Sequence, residues 1–353
     1  MGQPVQVSRS TNVLLAIAAT FIIIAGMKAA SSFIVPVILS IFVSIILGPL
    51  YFFFASSKIP FTKKEIPDWL AIILVVLIAG FFFFLVGKLV GNSVQEFSNK
   101  LPQYQQALVN KLTGVIEGLK KLGLPIPESG ISENFSPGMI MNISTSVLNG
   151  LGSLLSNTFL IVFTSIFLLM EASVFSDKLR RAFPGSELGD SKAQSGTSQV
   201  VEKIKRYATI KSIVSLMTGA FISSWLWFFD VEYPFLWGLV AFMFNFIPNI
   251  GSIIAAVPAV ILAWLTSDSI TTPILVAVGY LLVNFIIGNI VEPKFMGKGL
   301  GLSTLVVFLS LLFWGWVLGP VGMLLSVPLT IIVKIILDAN DETQWIGIML
   351  GDK

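Results

Sequence analysis

The sequence predicts an all-α membrane protein of about eight transmembrane helices, with two broken or re-entrant hairpins and an α-helical extracytoplasmic insertion. Three observations carry that prediction. Hydrophobic residues make up 55% of the chain and charged residues only 12%, and the mean hydropathy is +0.89. The apolar residues fall in runs long enough to cross a hydrocarbon core, which takes about 20 residues of helix. Two runs, Phe235 to Leu265 and Leu302 to Leu337, are interrupted in a matched way, by Pro248, Gly251 and Pro258 in the first and by Gly319, Pro320, Gly322 and Pro328 in the second. Paired interrupted membrane helices point to a transport site.

Residues 1–90 hold three spans: Val13 to Met27, Phe33 to Phe54, and Trp69 to about Val90. The first has some marks of a signal peptide, with Arg9 before it and Lys28, Ala29, Ala30 and Ser31 after it. A small-x-small cleavage site is not convincing there, and the first two spans read better as a helical hairpin with Lys28 in its extracytoplasmic turn. Gln6 stands where a myristoylation signal needs Ser or Thr.

Residues 91–147 form a polar insertion. Its apolar positions Phe97, Leu101, Tyr104, Leu108, Leu112, Val115, Leu119 and Leu122 recur every three or four residues. That spacing describes an amphipathic helix, with Pro102 near its start and Gly123 to Pro127 ending it. Packing against the rest of the protein is the plain interpretation; the membrane interface and a neighbouring subunit of a homo-oligomer are the alternatives. A fourth span covers 148–170, and Glu171 reads as its boundary carboxylate.

Residues 171–211 form a basic loop carrying Lys178, Arg180, Arg181, Lys192, Lys203, Lys205, Arg206 and Lys211. Lys58, Lys63 and Lys64 lie on the same side if every span crosses. The positive-inside rule makes that side cytoplasmic, together with the N-terminus. The loop is therefore a topology signal and solvated surface, not a nucleic-acid site.

Residues 212–337 form the C-terminal transmembrane core. A fifth span, Ser212 to Phe229, leads past Asp230 and Glu232 to Tyr233, Phe235 and Trp237, which read as an interfacial aromatic belt. The broken stretches 235–265 and 302–337 flank a clean span, Pro273 to Val291. If each broken stretch is a hairpin, that single crossing makes them open on opposite sides of the membrane, an inverted arrangement suited to alternating access. Residues 338–353 are a cytoplasmic tail.

Proline removes a backbone donor and glycine lowers the cost of leaving helical geometry. In hydrocarbon the freed groups need protein partners or a wet cavity. The breaks therefore supply the candidate substrate-binding residues Asn245, Pro248, Asn249, Gly251, Gly319 and Gly322, the alternative being a tight turn with no ligand. Asn284, Gly288 and Glu292 follow at helical spacing with Asn289 beside them, which adds Asn284 and Asn289 to the candidates. An ionisable group at the centre of a membrane helix costs about 2.5 to 3.5 kcal/mol. Pro293, Lys294 and Lys298 follow Glu292 at once, which favours an interfacial place for it. The functional alternative, a carboxylate coupled to cation or proton movement, makes Glu292 the candidate ion-coupling residue.

The chain contains no cysteine and no histidine. That removes disulfides, Cys/His zinc sites, the HExxH metalloprotease and serine–histidine catalysis. We expect no enzyme activity, no metal and no cofactor. GKGLGLST, from Gly297 to Thr304, lacks the order of a phosphate loop.

The stretches NFIPNIGSIIAAVPAVILA (Asn245 to Ala263) and NIVEPKFMGKGLGLSTLVVFLSLLFWGWVLGPVGMLLSVPL (Asn289 to Leu329) resemble the two signature regions of the autoinducer-2 exporter family. The similarity extends more loosely from about Val13 to Leu337, and the GPxGMLLxVP run is its specific part. The resemblance implies a polytopic permease of the bacterial inner membrane, associated with export of the signal autoinducer-2; some members are linked instead to exchange of sodium or lithium for protons. Three readings follow: export of a small polar signal, monovalent cation/proton antiport, and a non-transporting membrane scaffold whose working surface is the 91–147 insertion. The expected partners are the lipid bilayer and a small polar solute or monovalent cation.

Overall fold

The computed structural model describes residues 9–57, 66–121, 150, 158–182, 191–248, 250–296, 301–338 and 342–351. Every regular element named among them is helical. Five described helices are long and apolar enough to cross a membrane by length and composition, and shorter apolar helices accompany them. This is the all-α membrane class that the composition predicts.

Helices α1 (Arg9–Ala29) and α2 (Ser31–Ala55) are separated by the single residue Ala30. Lys28 is not in a turn but in the last turn of α1, with its ammonium 3.7 Å from the centre of the Trp316 ring. Helix α4 (Thr158–Ala182) packs on α2 through serines. The Ser165 hydroxyl donates to the Ser40 carbonyl at 3.0 Å, and the Ser44 hydroxyl to the Ser165 carbonyl at 3.2 Å. Small hydroxyl side chains let membrane helices approach and satisfy themselves on backbone carbonyls.

Helix α3 (Asp68–Lys121) runs for 54 residues. At 1.5 Å per residue that is about 80 Å, far beyond the roughly 30 Å hydrocarbon core. The insertion helix is therefore the continuation of the third span, unbroken at Gly91, and Pro102 lies inside it rather than near its start. Packing explains the continuity. Phe97, Tyr104 and Leu108 are buried in one cluster with Trp237, Val240, Ala259 and Leu262. The stripe at three- and four-residue spacing thus faces the rest of the protein as far as Leu112, whereas Val115 is exposed. Its end at Gly123 to Pro127 falls outside the described residues.

Helix α5 (Ser191–Phe228) absorbs both the fifth span and half of the expected basic loop. Lys, Glu, Gln and Arg are good helix formers, and Ile204, Tyr207 and Ala208 give this stretch a buried stripe. The loop reading is corrected there.

Helices α6 (Pro234–Phe244) and α7 (Gly251–Thr266) form hairpin 1. With 11 residues, α6 is about 17 Å long, shorter than the roughly 30 Å hydrocarbon core. Helix α8 (Thr271–Ile286) continues through a π-helical turn, Ile287–Val291, into α9 (Glu292–Met296). Helix α10 (Thr304–Leu324) is bent at Gly319, where φ is 69° and ψ −153°. Its first limb and α11 (Ser326–Asp338) form hairpin 2, tied by Trp314 Nε1 donating to Thr330 Oγ1 at 3.0 Å. The short α12 (Gln344–Leu350) docks below, where the Leu350 carbonyl accepts from the Ser303 amide.

The tips of the two hairpins come together. Phe246 from hairpin 1 and Val321 and Leu325 from hairpin 2 share one buried cluster with Phe42 of α2 and Ala208 of α5. Ala208 stands three residues before Lys211 on the same helix.

Candidate functional site

The site is built along α5. Ser215, Gly219 and Ser223 recur every four residues and so form one stripe of small side chains. Opposite them on α6 is Gly238, where a Cβ would collide with Ser223 Oγ and with the Gly219 carbonyl. Backbone approach of this kind is how membrane helices associate without a hydrophobic drive. It holds hairpin 1 against α5 at a defined height.

At that height Asn245, at the tip of hairpin 1, donates from Nδ2 to Ser215 Oγ at 2.9 Å. The break itself closes on its own backbone: Phe246 bonds to Met243 at 3.2 Å, Ile247 to Phe244 at 2.9 Å, and Ile250 to Pro248 at 2.7 Å. Pro248 is half-buried in this turn. Asn249 lies outside the described residues. A Cβ on Gly251 would strike the Phe244 carbonyl, and one on Gly322 the Trp314 carbonyl. The two hairpins thus share a joint in which a glycine admits the carbonyl of the preceding limb. Gly319 makes the bend of hairpin 2 in a backbone region open essentially to glycine alone.

One turn before Ser215 sits the most buried ion pair among the described residues. Lys211 Nζ lies 2.6 Å from Glu292 Oε1, with the two side chains only 5% and 19% exposed. The carboxylate expected at the interface is paired with this lysine and largely buried among the helices. The π-turn explains how. The Glu292 amide bonds to the Ile287 carbonyl, five residues back, where an α-helix would reach Gly288. The added residue turns Glu292 off the face of Asn284 and Asn289, which remain exposed, and over the buried Ile287. Single π-turns are frequent at functional sites. Asn284 and Asn289 are not brought to Asn245.

Lys211, Ser215 and the π-turn escaped the sequence reading. By charge alone Lys211 belongs with the solvated basic stretch, although it stands inside the candidate span Ile204–Phe228. An ionisable group within such a window is a functional signal.

A second polar cluster ties the far half of α3 to the open end of hairpin 1. Lys100 Nζ is 3.2 Å from Glu232 Oε1, Tyr104 Oη donates to the other oxygen of Glu232, and Lys111 Nζ donates to the Ser267 carbonyl at 2.5 Å. The Glu232 carboxylate hydrogen-bonded to Lys100 raises that ammonium above its ordinary value. Asp230 and Tyr233 adopt left-handed backbone, with φ of 53° and 57°, so the connection from α5 to α6 is strained to reach this cluster. Trp237 is not in an interfacial belt; it is fully buried beneath Phe97.

Comparison with known proteins agrees with this architecture. The model of the AI-2E family transporter matches residues 13–341. A Haemophilus influenzae protein provisionally named as a transport protein is 42% identical over 342 residues, covering 96% of each chain. The AI-2 transport protein TqsA of Escherichia coli K12 is 35% identical over 352 residues, 100% of this chain and 99% of its own. The E. coli K12 protein YhhT, also provisionally named for transport, is 34% identical over 340 residues, 96% of this chain and 94% of its own. A polytopic helical membrane protein with paired broken hairpins, matched along nearly its whole length, the chain belongs to the AI-2E family of transporters.

Proposed function

We propose that this protein is a secondary transporter that moves a small, polar, oxygen-rich signal of the autoinducer-2 type along the α5 seam. The observation that carries the proposal is the convergence on one helix of both hairpin tips at Ala208, the Lys211–Glu292 pair and the Asn245–Ser215 bond. Broken hairpins whose tips meet on the helix that carries a buried Lys–Glu pair have the form of an alternating-access site. The name of TqsA as an AI-2 transport protein supports the choice of solute. Asn245 and Ser215 offer an amide and a hydroxyl, groups that hold hydroxylated solutes in either hydrogen-bond direction. Asn249, Pro248, Gly251, Gly319 and Gly322 belong to the hairpin joints that would have to move. In this assignment Asn284 and Asn289 reach solute only if α8 turns.

The protein sits in the bacterial inner membrane with both termini cytoplasmic, because the basic residues Lys58, Lys63, Lys64 and Lys178 to Lys205 then face the cytoplasm. It acts as a transporter and not as an enzyme, without a cofactor. A second reading, monovalent cation/proton antiport, is favoured by the same ion pair: a cation arriving at Glu292 would have to displace the Lys211 ammonium. The scaffold reading has no comparable support, because α3 beyond Gly91 is packed on hairpin 1.

Purified protein in vesicles, loaded with autoinducer-2 and tested with and without imposed proton and sodium gradients, distinguishes these readings. Asn245→Ala is expected to lower autoinducer-2 flux while the folded protein is retained. Flux equal to that of the wild type removes the site.

A further inference from the structure

Two polar atoms in the largest core cluster are sealed from solvent and have no hydrogen-bond partner among the described residues: Trp237 Nε1 and Tyr280 Oη. Ser212 Oγ is a third such atom, beside Lys211. Leaving a buried donor unpaired forfeits its hydration without return, and native proteins do so rarely. Each such group calls for a reason.

Their placement supplies one. Gly238, next to Trp237, lies against Gly219 and Ser223 of α5, and Gly279, next to Tyr280, lies against the Trp225 indole of α5. Trp237 and Tyr280 therefore each stand next to a glycine that touches α5 in the stretch from Gly219 to Trp225. Ser215 with Asn245 comes next along α5, and Lys211 with Ser212 after that. From Trp225 to Lys211 the distance along the helix is about 21 Å, and these polar groups lie beside or on that stretch. Trp225 itself is satisfied, donating to the Leu275 carbonyl at 3.1 Å.

We infer that Trp237 Nε1 and Tyr280 Oη contact the solute, and that the solute there is an uncharged, oxygen-rich molecule. The inference rests on the transport reading above and adds the chemistry of a second station. An indole N–H can only donate, so the atom opposite Trp237 is a hydroxyl, carbonyl or ether oxygen. A bare cation gains nothing from a donor that turns its positive hydrogen toward it. The Trp237 N–H therefore selects against the ions that Glu292 attracts, while the Tyr280 hydroxyl can donate or accept.

Tyr280→Phe deletes only the hydroxyl, and Trp237→Phe deletes the N–H along with part of the ring. Both variants are reconstituted in vesicles with autoinducer-2 as the probe, and thermal midpoints are measured in parallel. Flux at subsaturating probe is expected to fall about fivefold for each, the effect of one lost hydrogen bond. The midpoint of Tyr280→Phe is expected to stay or rise, since an unpaired polar atom has been removed. Sodium-driven proton movement, where the wild type shows any, is expected to be unchanged. Wild-type flux is measured first: if the wild type moves no probe, the proposed solute fails and this inference fails with it. Wild-type flux together with unchanged flux in both variants overturns this inference alone. A fall in flux that tracks a lowered midpoint also overturns it, because loss of packing then explains the fall.

Discussion

At the scale of single residues, the Lys211–Glu292 pair separates what a buried charge costs from what it does. Two ions taken out of water are held by each other, and removal of one partner leaves the other uncompensated, at about 3 to 5 kcal/mol. With side chains only 5% and 19% exposed, the pair is well inside the regime where that penalty applies. Glu292→Gln is therefore expected to lower the thermal midpoint in detergent and to abolish flux. Adding Lys211→Met to it removes the stranded ammonium, and the midpoint is expected to recover toward wild type. Flux is not expected to recover if the charges take part in transport. A double variant as stable as wild type that also transports at the wild-type rate would reduce the pair to a packing device.

At the scale of elements, the two hairpins share a joint, and its weakest point is Gly319. Its φ of 69° with ψ of −153° lies where a side chain costs about 1 to 3 kcal/mol. Gly319→Ala is expected to destabilise by that amount, read as a lower midpoint, even though open space surrounds the position. An unchanged midpoint would mean that the bend does not require glycine. This joint was legible in the sequence because proline and glycine announce backbone that leaves the helix. So was α2, expected from Phe33 to Phe54 and found from Ser31 to Ala55. The continuity of α3 was not legible. Pro102 looks like a helix start when only local rules are applied, whereas Phe97, Tyr104 and Leu108 on either side of it are fixed by a partner some 130 residues away in the chain. Lys211 was hidden for the opposite reason: a charge tally treats every lysine as solvated, and only the tertiary position of Glu292 shows that this one is not. The π-turn that aims Glu292 has no local signature in IGNIV; it appears only in the backbone bonding.

At the scale of the molecule, both the alternating-access reading and the orientation turn on α8. Hairpin 1 returns to Ser267, where the far half of α3 holds it through Lys111. Helix α8 then runs through the π-turn to Lys294, and hairpin 2 starts after it at Thr304. Thr271 to Phe295 is 25 residues long, about 37 Å at helical rise, enough to cross a hydrocarbon core of roughly 30 Å. If α8 does cross, the two hairpins open on opposite sides, while their tips meet at Phe42 and Ala208. The natural absence of cysteine makes this directly testable without a background-removal step. Single variants Ser269→Cys and Lys294→Cys each place a thiol at an exposed position, one just before α8 and one in α9, at either end of the Thr271–Phe295 span. In intact cells a membrane-impermeant maleimide is expected to label Ser269→Cys, and to label Lys294→Cys only after the membrane is opened. Labelling of both from the same side would leave α8 without a crossing and the hairpins open toward one compartment, and the converging tips would then have no second side to which a solute could be released.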